Sequence, residues 1–320
     1  MNFDPLNPRI RFGRWIADGI RWLQEHLGWL FDALQAGLHF VYTLFTDILS
    51  APPYWVIILV FAAIAWRASS WRLALFTAIG FYVIRSFNLW IHAMQTISLV
   101  VLAVLCALLL SIPLGIWAAR STTVSKIVKP VLDLMQTMPA MVYLIPAITI
   151  FGIGATPGAI ATLIFAMPPG VRLTELAIRQ VDKELVEAGH AFGDTPSRIL
   201  RQIQLPVALP TIMAGVNQVI MLALSMVVLA GMAGAGGLGG DVVGSLSSLN
   251  VPLGVEAGTA VVIIAIFLDR VSASFGEPRR HRRRTGRRTA EEAKDKVTDE
   301  SPGSASETTP IPTNPERSNA

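Results

Sequence analysis

The chain has 320 residues, of which 52% are hydrophobic and only 15% charged, with a formal net charge of +4. Mean hydropathy is +0.53. Soluble domains carry roughly 25% charged residues, so these values exclude an ordinary soluble globular protein and point to a membrane domain.

The charge is unevenly spread. Of 48 charged side chains, 18 lie in the 44 residues from Glu277 to Ala320, while Ser50–Gly276 carries 21 in 227 residues. Three regions follow: an N-terminal segment (1–51), an apolar domain (52–276) and a polar tail (277–320). Gly13–Leu49 reads as an amphipathic helix. Trp15, Ile16, Ile20, Trp22, Leu23, Leu27, Leu30, Phe31 and Leu34 alternate with Asp18, Arg21, Glu25 and Asp32, a pattern suited to lying along a membrane interface. No secretory signal peptide is visible in the first 49 residues, which carry nine charges.

A crossing needs about 20 mostly apolar helical residues. Uncharged stretches place the first at Ile48–Trp66 and a short second at Leu73–Ile84, which must borrow from Ser70–Arg72 and Arg85–Leu89. The third is Ile97–Ala119. Leu134–Val171 is too long for one crossing and breaks into two at Phe151–Gly158 (FGIGATPG). The sixth lies within Gln202–Gly240 and ends near Gly231. The seventh is Ala257–Leu268, extended backward past Glu256. The expectation is an all-α polytopic membrane protein with about seven crossings, or eight if part of the N-terminal helix also crosses.

Basic residues set the orientation. Arg67, Arg72, Arg120, Lys126, Lys129, Arg172, Arg179, Lys183, Arg198 and Arg201 fall in one set of loops, and only Arg85 in the other. The first set is assigned to the cytoplasm, together with the C-terminus. Seven crossings then put the N-terminus outside, despite Arg9, Arg11, Arg14 and Arg21. The RRHRRRTGRR run (Arg279–Arg288) fixes topology and meets anionic lipid headgroups, rather than nucleic acid. Residues beyond Thr289 have too few apolar side chains to fold.

The longest cytoplasmic loop, Val181–Pro206, reads as two short helices with a bend. Asp182–Phe192 has helical spacing, and Gly193 stands where a left-handed residue closes a helix. Thr195 and Pro196 supply an N-cap and a first-turn proline, and Pro206 marks the next span. Small residues, Ala188, Gly189, Ala191 and Gly193, leave one side open to close approach by another backbone. The spacing is Glu-Ala-Gly, three residues, Gly, nine residues, Ile-x-Leu-Pro.

This loop resembles the EAA loop of ATP-binding-cassette importer permeases, whose consensus is Glu-Ala-Ala, three residues, Gly, nine residues, Ile-x-Leu-Pro. Glu187, Ala188, Gly193, Ile203, Leu205 and Pro206 match, and Gly189 replaces the second Ala. PLGIWAAR (Pro113–Arg120), LDLMQTMPAMVYLIP (Leu132–Pro146), FGIGATPG, LPTIMAGVNQVIMLALSMVV (Leu209–Val228) and GAGGLG (Gly234–Gly239) are similar to the permease subunit of glycine betaine/proline (choline) uptake systems. The similarity runs from about Trp15 to Arg270. It implies a type I importer fold with a MetI-like core. It also implies that the loop docks as a coupling helix on a separate ATPase, with Glu187 in polar contact and Gly193 at the bend. The resemblance further implies two permease copies and an extracytoplasmic solute-binding protein.

The chain has no Gly-Lys dipeptide and hence no P-loop, so the expectation is a transporter subunit, not an enzyme, that holds no cofactor and leaves ATP to its partner. One cysteine, Cys106, precludes an intrachain disulfide, and the five histidines lack metal-ligand spacing. Gln136, Thr137, Tyr143, Asn217, Gln218 and Ser225 are polar groups in apolar helices. Two readings stay open for them: they line a route for a zwitterion, or they bond across helices. Pro113, Pro139 and Pro146 are candidate kinks. The glycine-rich turn, with Gly234, Gly236, Gly237 and Gly239, is either an outer gate or an ordinary loop. No aromatic cage for a quaternary ammonium is visible, so substrate choice is expected in the binding protein. An ion-coupled secondary transporter is the competing class, and it commonly places ionisable groups at midplane. Within the family, a permease for another small solute, such as an amino acid, is the nearer rival.

Overall fold

The computed structural model describes residues 12–276, and all regular structure among them is helical. The tail, the arginine run and the first eleven residues lie outside the described residues. Twelve α-helices follow in order: α1 (Phe12–Ser50), α2 (Tyr54–Ala68), α3 (Trp71–Ser86), α4 (Trp90–Arg120), α5 (Thr122–Thr137), α6 (Leu144–Phe151), α7 (Ala155–Arg179), α8 (Lys183–Ala191), α9 (Pro196–Ile199), α10 (Leu205–Ala230), α11 (Gly237–Ser248) and α12 (Val251–Gly276).

The centre is a three-helix stack of α4, α7 and α10. Small residues let the backbones approach, as in other membrane bundles. A Cβ on Gly170 would lie 2.6 Å from Ser111 Oγ, and one on Gly115 would lie 2.8 Å from the Val171 carbonyl oxygen. Around this stack α2, α3 and α12 add a ring cluster. Phe61 lies 4.9 Å from Phe81 and 5.1 Å from Phe267, centroid to centroid.

The bundle has two ends. Gly154 N–H donates to the Ala233 carbonyl at 3.0 Å, joining the turn before α7 to the turn after α10 at what we term the glycine end. The opposite, loop end carries the termini of α4 and α7, the 181–206 segment and the start of α10.

Among the described residues, four helical segments are long and apolar enough to cross a membrane: α4, α7, the continuous Pro196–Ala233 segment and Val251–Ser274 of α12. Two bent pairs raise the count to six, α1 with α2 at 101° and α5 with the 140–151 segment at 109°. The seven expected crossings differ from this at two places. At 16 residues, α3 spans about 24 Å, short of a bilayer core of about 30 Å, and it pairs with α2 as a short hairpin. The fourth expected crossing is not straight: Met138 is extended and Pro139 starts a 3₁₀ turn over Ala140–Tyr143. Pro146 then falls in the first turn of α6 and Pro113 lies within α4.

Helix α1 forms over the predicted stretch and is interrupted at Leu27 (φ −117°). It packs on α4, α6 and α7 at the glycine end. Gln24 donates to the Thr149 carbonyl at 2.9 Å and Gln35 to that of Phe151 at 3.3 Å. Phe31 meets Phe151 edge-on.

Candidate functional site

The 181–206 segment is shaped by its caps. The Asp182 carboxylate accepts from Glu184 N–H at 3.1 Å and starts α8. Gly193 has φ +79°. Its N–H donates to the His190 carbonyl at 3.0 Å, and Asp194 N–H donates to that of Gly189 at 3.1 Å. This pair of bonds is a Schellman motif, at the position where the sequence predicts helix closure. The chain then turns back into α9, with Pro196 at its first position.

Three local expectations need correction. Thr195 has extended backbone but its side chain makes no capping bond; the Asp194–Arg198 ion pair, at 3.3 Å, spans this helix start instead. Pro206 does not begin a separate span. The helix runs on from α9 through a π-helical stretch, Leu200–Gln204, into α10, and Pro206 is already in its first turn. Gly189 does not face outward. It is buried, and a Cβ there would meet Ile203 Cδ1 at 3.0 Å and Ile199 Cγ1 at 3.1 Å. The absent side chain thus seats α8 on the following helix, an approach within the loop and not one offered to another molecule.

The outward surface is Glu187, Ala188, Ala191 and Phe192. Phe192 is 89% exposed beside the Gly193 bend. Ile203 and Leu205 are half-buried beneath α8. Glu187 borders a cleft of about 290 Å³ shared with Arg120, Arg179, Lys183 and Gln204.

Under the loop lies a buried carboxylate. Glu175, in α7, accepts from Ser125 Oγ at 2.7 Å and pairs with Arg179 at 2.9 Å and Lys129 at 3.4 Å. Arg172 pairs with Asp133 nearby. Nothing in the sequence marks the partners of Glu175 on α5. Its spacing of four from Arg179 was the available signal.

The polar residues of the apolar helices do not share one surface. Tyr143 is buried, its hydroxyl donating to the Met135 carbonyl. Asn217 donates to Asp269 at 3.1 Å and accepts from Ser272 at 2.6 Å, joining α10 to α12. Gln218 and Ser225 lie on an exposed face of α10, with Ser225 Oγ donating to the Met221 carbonyl. Gln136 and Thr137 are exposed at the end of α5, just before the bend.

At the glycine end, α10 stops at Ala230 as predicted. Gly234, Gly236 and Gly237 all have positive φ, from +62° to +74°. Gly239 packs on backbone: a Cβ would sit 2.7 Å from the Val227 carbonyl oxygen. The start of α4 clamps this turn. Gln95 Oε1 accepts from Gly237 N–H at 3.1 Å and Thr96 Oγ1 from Leu238 N–H at 2.9 Å, while His92 Nδ1 lies 2.6 Å from Asp241. His92, Gln95 and Thr96 were not singled out from sequence.

Fold and loop together define an all-α membrane protein with several crossing helices, and the comparisons place it among transport permease subunits. Residues 111–275 match the family model described as "Binding-protein-dependent transport system inner membrane component". The chain is 47% identical over 269 residues to the glycine betaine transport system permease protein OpuAB of Bacillus subtilis (strain 168), covering 84% of this chain and 95% of that one. It is 44% identical over 280 residues to the glycine betaine/proline betaine transport system permease protein ProW of Escherichia coli (strain K12), covering 87% and 79%. To the glycine betaine/carnitine transport permease protein GbuB of Listeria monocytogenes (serotype 1/2a, strain 10403S) it is 45% identical over 278 residues, covering 85% and 98%. Among solved structures, an inward-facing conformation of the MetNI methionine ABC transporter superposes with a TM-score of 0.53 at 20% identity, covering 58% of this chain and 95% of that one, a likeness of fold. The chain belongs to the binding-protein-dependent transport system inner membrane component family.

Proposed function

We propose that this chain is the membrane-spanning subunit of an ATP-driven importer for glycine betaine or a related quaternary-ammonium solute. The observation that carries the mechanism is the closed α8–Gly193–α9 turn, which presents Glu187, Ala188 and Phe192 outward on α8 and returns the chain into α9, itself continuous with α10. The substrate class is supported by the 44–47% identity to permease proteins of glycine betaine transport systems.

In this reading the loop end faces the cytoplasm, as its basic residues favour, and the C-terminus with its 277–320 tail lies on that side. Helix α1 lies along the outer interface. The loop seats in a groove of a separate ATPase, which holds the ATP; this chain carries no cofactor. Glu187 makes the polar contact and Phe192 the apolar one. Gly189, Ile199 and Ile203 keep the loop folded on itself, and Leu205 and Pro206 carry it into the membrane. Closure of the ATPase pair pushes the loops, and rigid helices carry the shift inward.

Two copies about a two-fold axis enclose the pathway, with Gln136, Thr137, Gln218 and Ser225 as its polar lining and Tyr143 and Asn217 as braces behind it. The turn with Gly234, Gly236, Gly237 and Gly239 forms the outer gate, where an extracytoplasmic binding protein delivers its solute. That protein selects the substrate.

The test is co-purification with the tagged chain to identify the ATPase and receptor, then reconstitution in vesicles. Uptake of radiolabelled glycine betaine is expected to require internal ATP and the receptor, and to persist with an uncoupler. Uptake abolished by the uncoupler, or proceeding without an ATPase, refutes the reading. A receptor that binds an amino acid but no quaternary ammonium redirects the substrate class alone.

A further inference from the structure

The transport reading leaves the Glu175 carboxylate without a role. Its side chain is 5% exposed, and its Oε1 alone gathers Ser125 Oγ, Arg179 Nε and Lys129 Nζ. Arg179 reaches further, donating from Nη2 to the Ala118 carbonyl at 2.8 Å. That carbonyl is among the last of α4, beyond the reach of any amide of its own helix. The first half of α5 and the last turns of α7 therefore meet on one carboxylate, and Arg179 extends the network to the C-terminal turn of α4.

Stability is a weak account of this arrangement. Buried ion pairs lose much of their Coulomb gain to desolvation, and well-packed apolar residues often serve as well. Position is more informative. Arg179 ends α7, and α8 begins at Lys183. A displacement of α8 enters the bundle through the turn that carries Glu175. From there the two other helices diverge. Helix α4 runs to the Gln95–Thr96 clamp on the glycine-rich turn. Helix α5 runs to the bend beside Gln136 and Thr137. Packed groups held by several directed bonds shift as a unit between discrete arrangements.

We infer that Glu175 is a positioning residue that fastens the loop-side ends of α4 and α5 to α7, so that movement of α8 shifts all three helices together. The inference rests on the coupling role proposed for α8.

The experiment counts solute imported per ATP hydrolysed by the full permease, reconstituted with its ATPase and binding protein. Glu175→Gln keeps the shape and an acceptor for Ser125 but drops the charge that holds both cations. The complex is expected to assemble and hydrolyse ATP, with the ratio lowered about fivefold or more. Arg179→Lys keeps the charge, but one ammonium lacks the fork that bridges Glu175 and Ala118, and the ratio is expected to fall likewise. Should either variant fail to assemble, Ser125→Ala removes a single bond without stranding a charge, and a smaller fall is expected. An unchanged ratio in the variants that assemble overturns the inference, and so does slower turnover at an unchanged ratio, which marks a purely structural role. Absence of ATP-driven uptake by the unaltered protein instead overturns the coupling role of α8.

Discussion

Gly193 is constrained by conformation and not by space: φ is +79° and nothing lies within 4 Å of where a Cβ would stand. A β-branched residue at such a φ costs about 1–3 kcal/mol, whereas Asn tolerates the left-handed region. Gly193→Val is expected to abolish ATP-driven uptake while the protein still inserts, and Gly193→Asn to keep most of it; equal uptake by both in vesicles would remove the bend from the mechanism. Phe192 makes the complementary case. In the proposed docking, an aromatic side chain this exposed serves as an anchor of the kind whose truncation costs about 2 kcal/mol or more. Phe192→Ala should therefore weaken ATPase association roughly thirtyfold, read by titration of the purified subunits. The Gly193 closure was legible in the sequence because a glycine after a helical run followed by Thr-Pro is a local signal. The inward orientation of Gly189 was not, because it depends on where Ile199 and Ile203 return. The Glu175 contacts were hidden for the same reason, since Ser125 lies 50 residues away in sequence.

Among the elements, the glycine-rich turn is the tightest junction. A Cβ on Gly231 would lie 2.3 Å from the Gly239 backbone, while Gly240 has open space. No side-chain rotation relieves a clash with backbone, so Gly231→Ala should force α10 and α11 apart at about 1–3 kcal/mol. Thermal unfolding in detergent is expected to show a lowered midpoint for Gly231→Ala and little change for Gly240→Ala. The end of α10 was readable because uncharged sequence gives way to glycine there. The clamp from Gln95 and Thr96 was not, as those residues are 142 positions from their partners. Pro139 was visible as a candidate kink, but a proline fixes only its own φ and restricts its predecessor. The 109° bend needs the packing of Tyr143 and Leu144 against α7 and α10 to define it.

At the scale of the molecule, apolar length and basic loops were enough to recognise a polytopic helical protein. They were not enough to count its crossings, since α2 and α3 are short and two helix pairs bend sharply. The layout sets a test for α1. Trp15, Trp22 and Trp29 recur every seven residues and are all exposed, as an interfacial helix requires. In bilayers, lipids brominated near the headgroup should quench fluorescence from these three residues more than lipids brominated at the chain end, read against a variant with all three replaced by Phe. A reporter fused at residue 5 should lie outside the cell, and a cytoplasmic reporter would require an even number of crossings and remove α1 from the outer interface.

The unbroken helix from Pro196 to Ala233 makes segment length a matter of angle. Each residue added between the bend and Ala208 would rotate everything beyond it by about 100°, swinging Gln218 and Ser225 away from their present azimuth while leaving Glu187 where it is. The π turn at Leu200–Gln204 already absorbs one such phase offset. The nine residues between Gly193 and Ile203 thus act as a timing mark, and a one-residue deletion there should disable the transporter even if every side chain named above were retained.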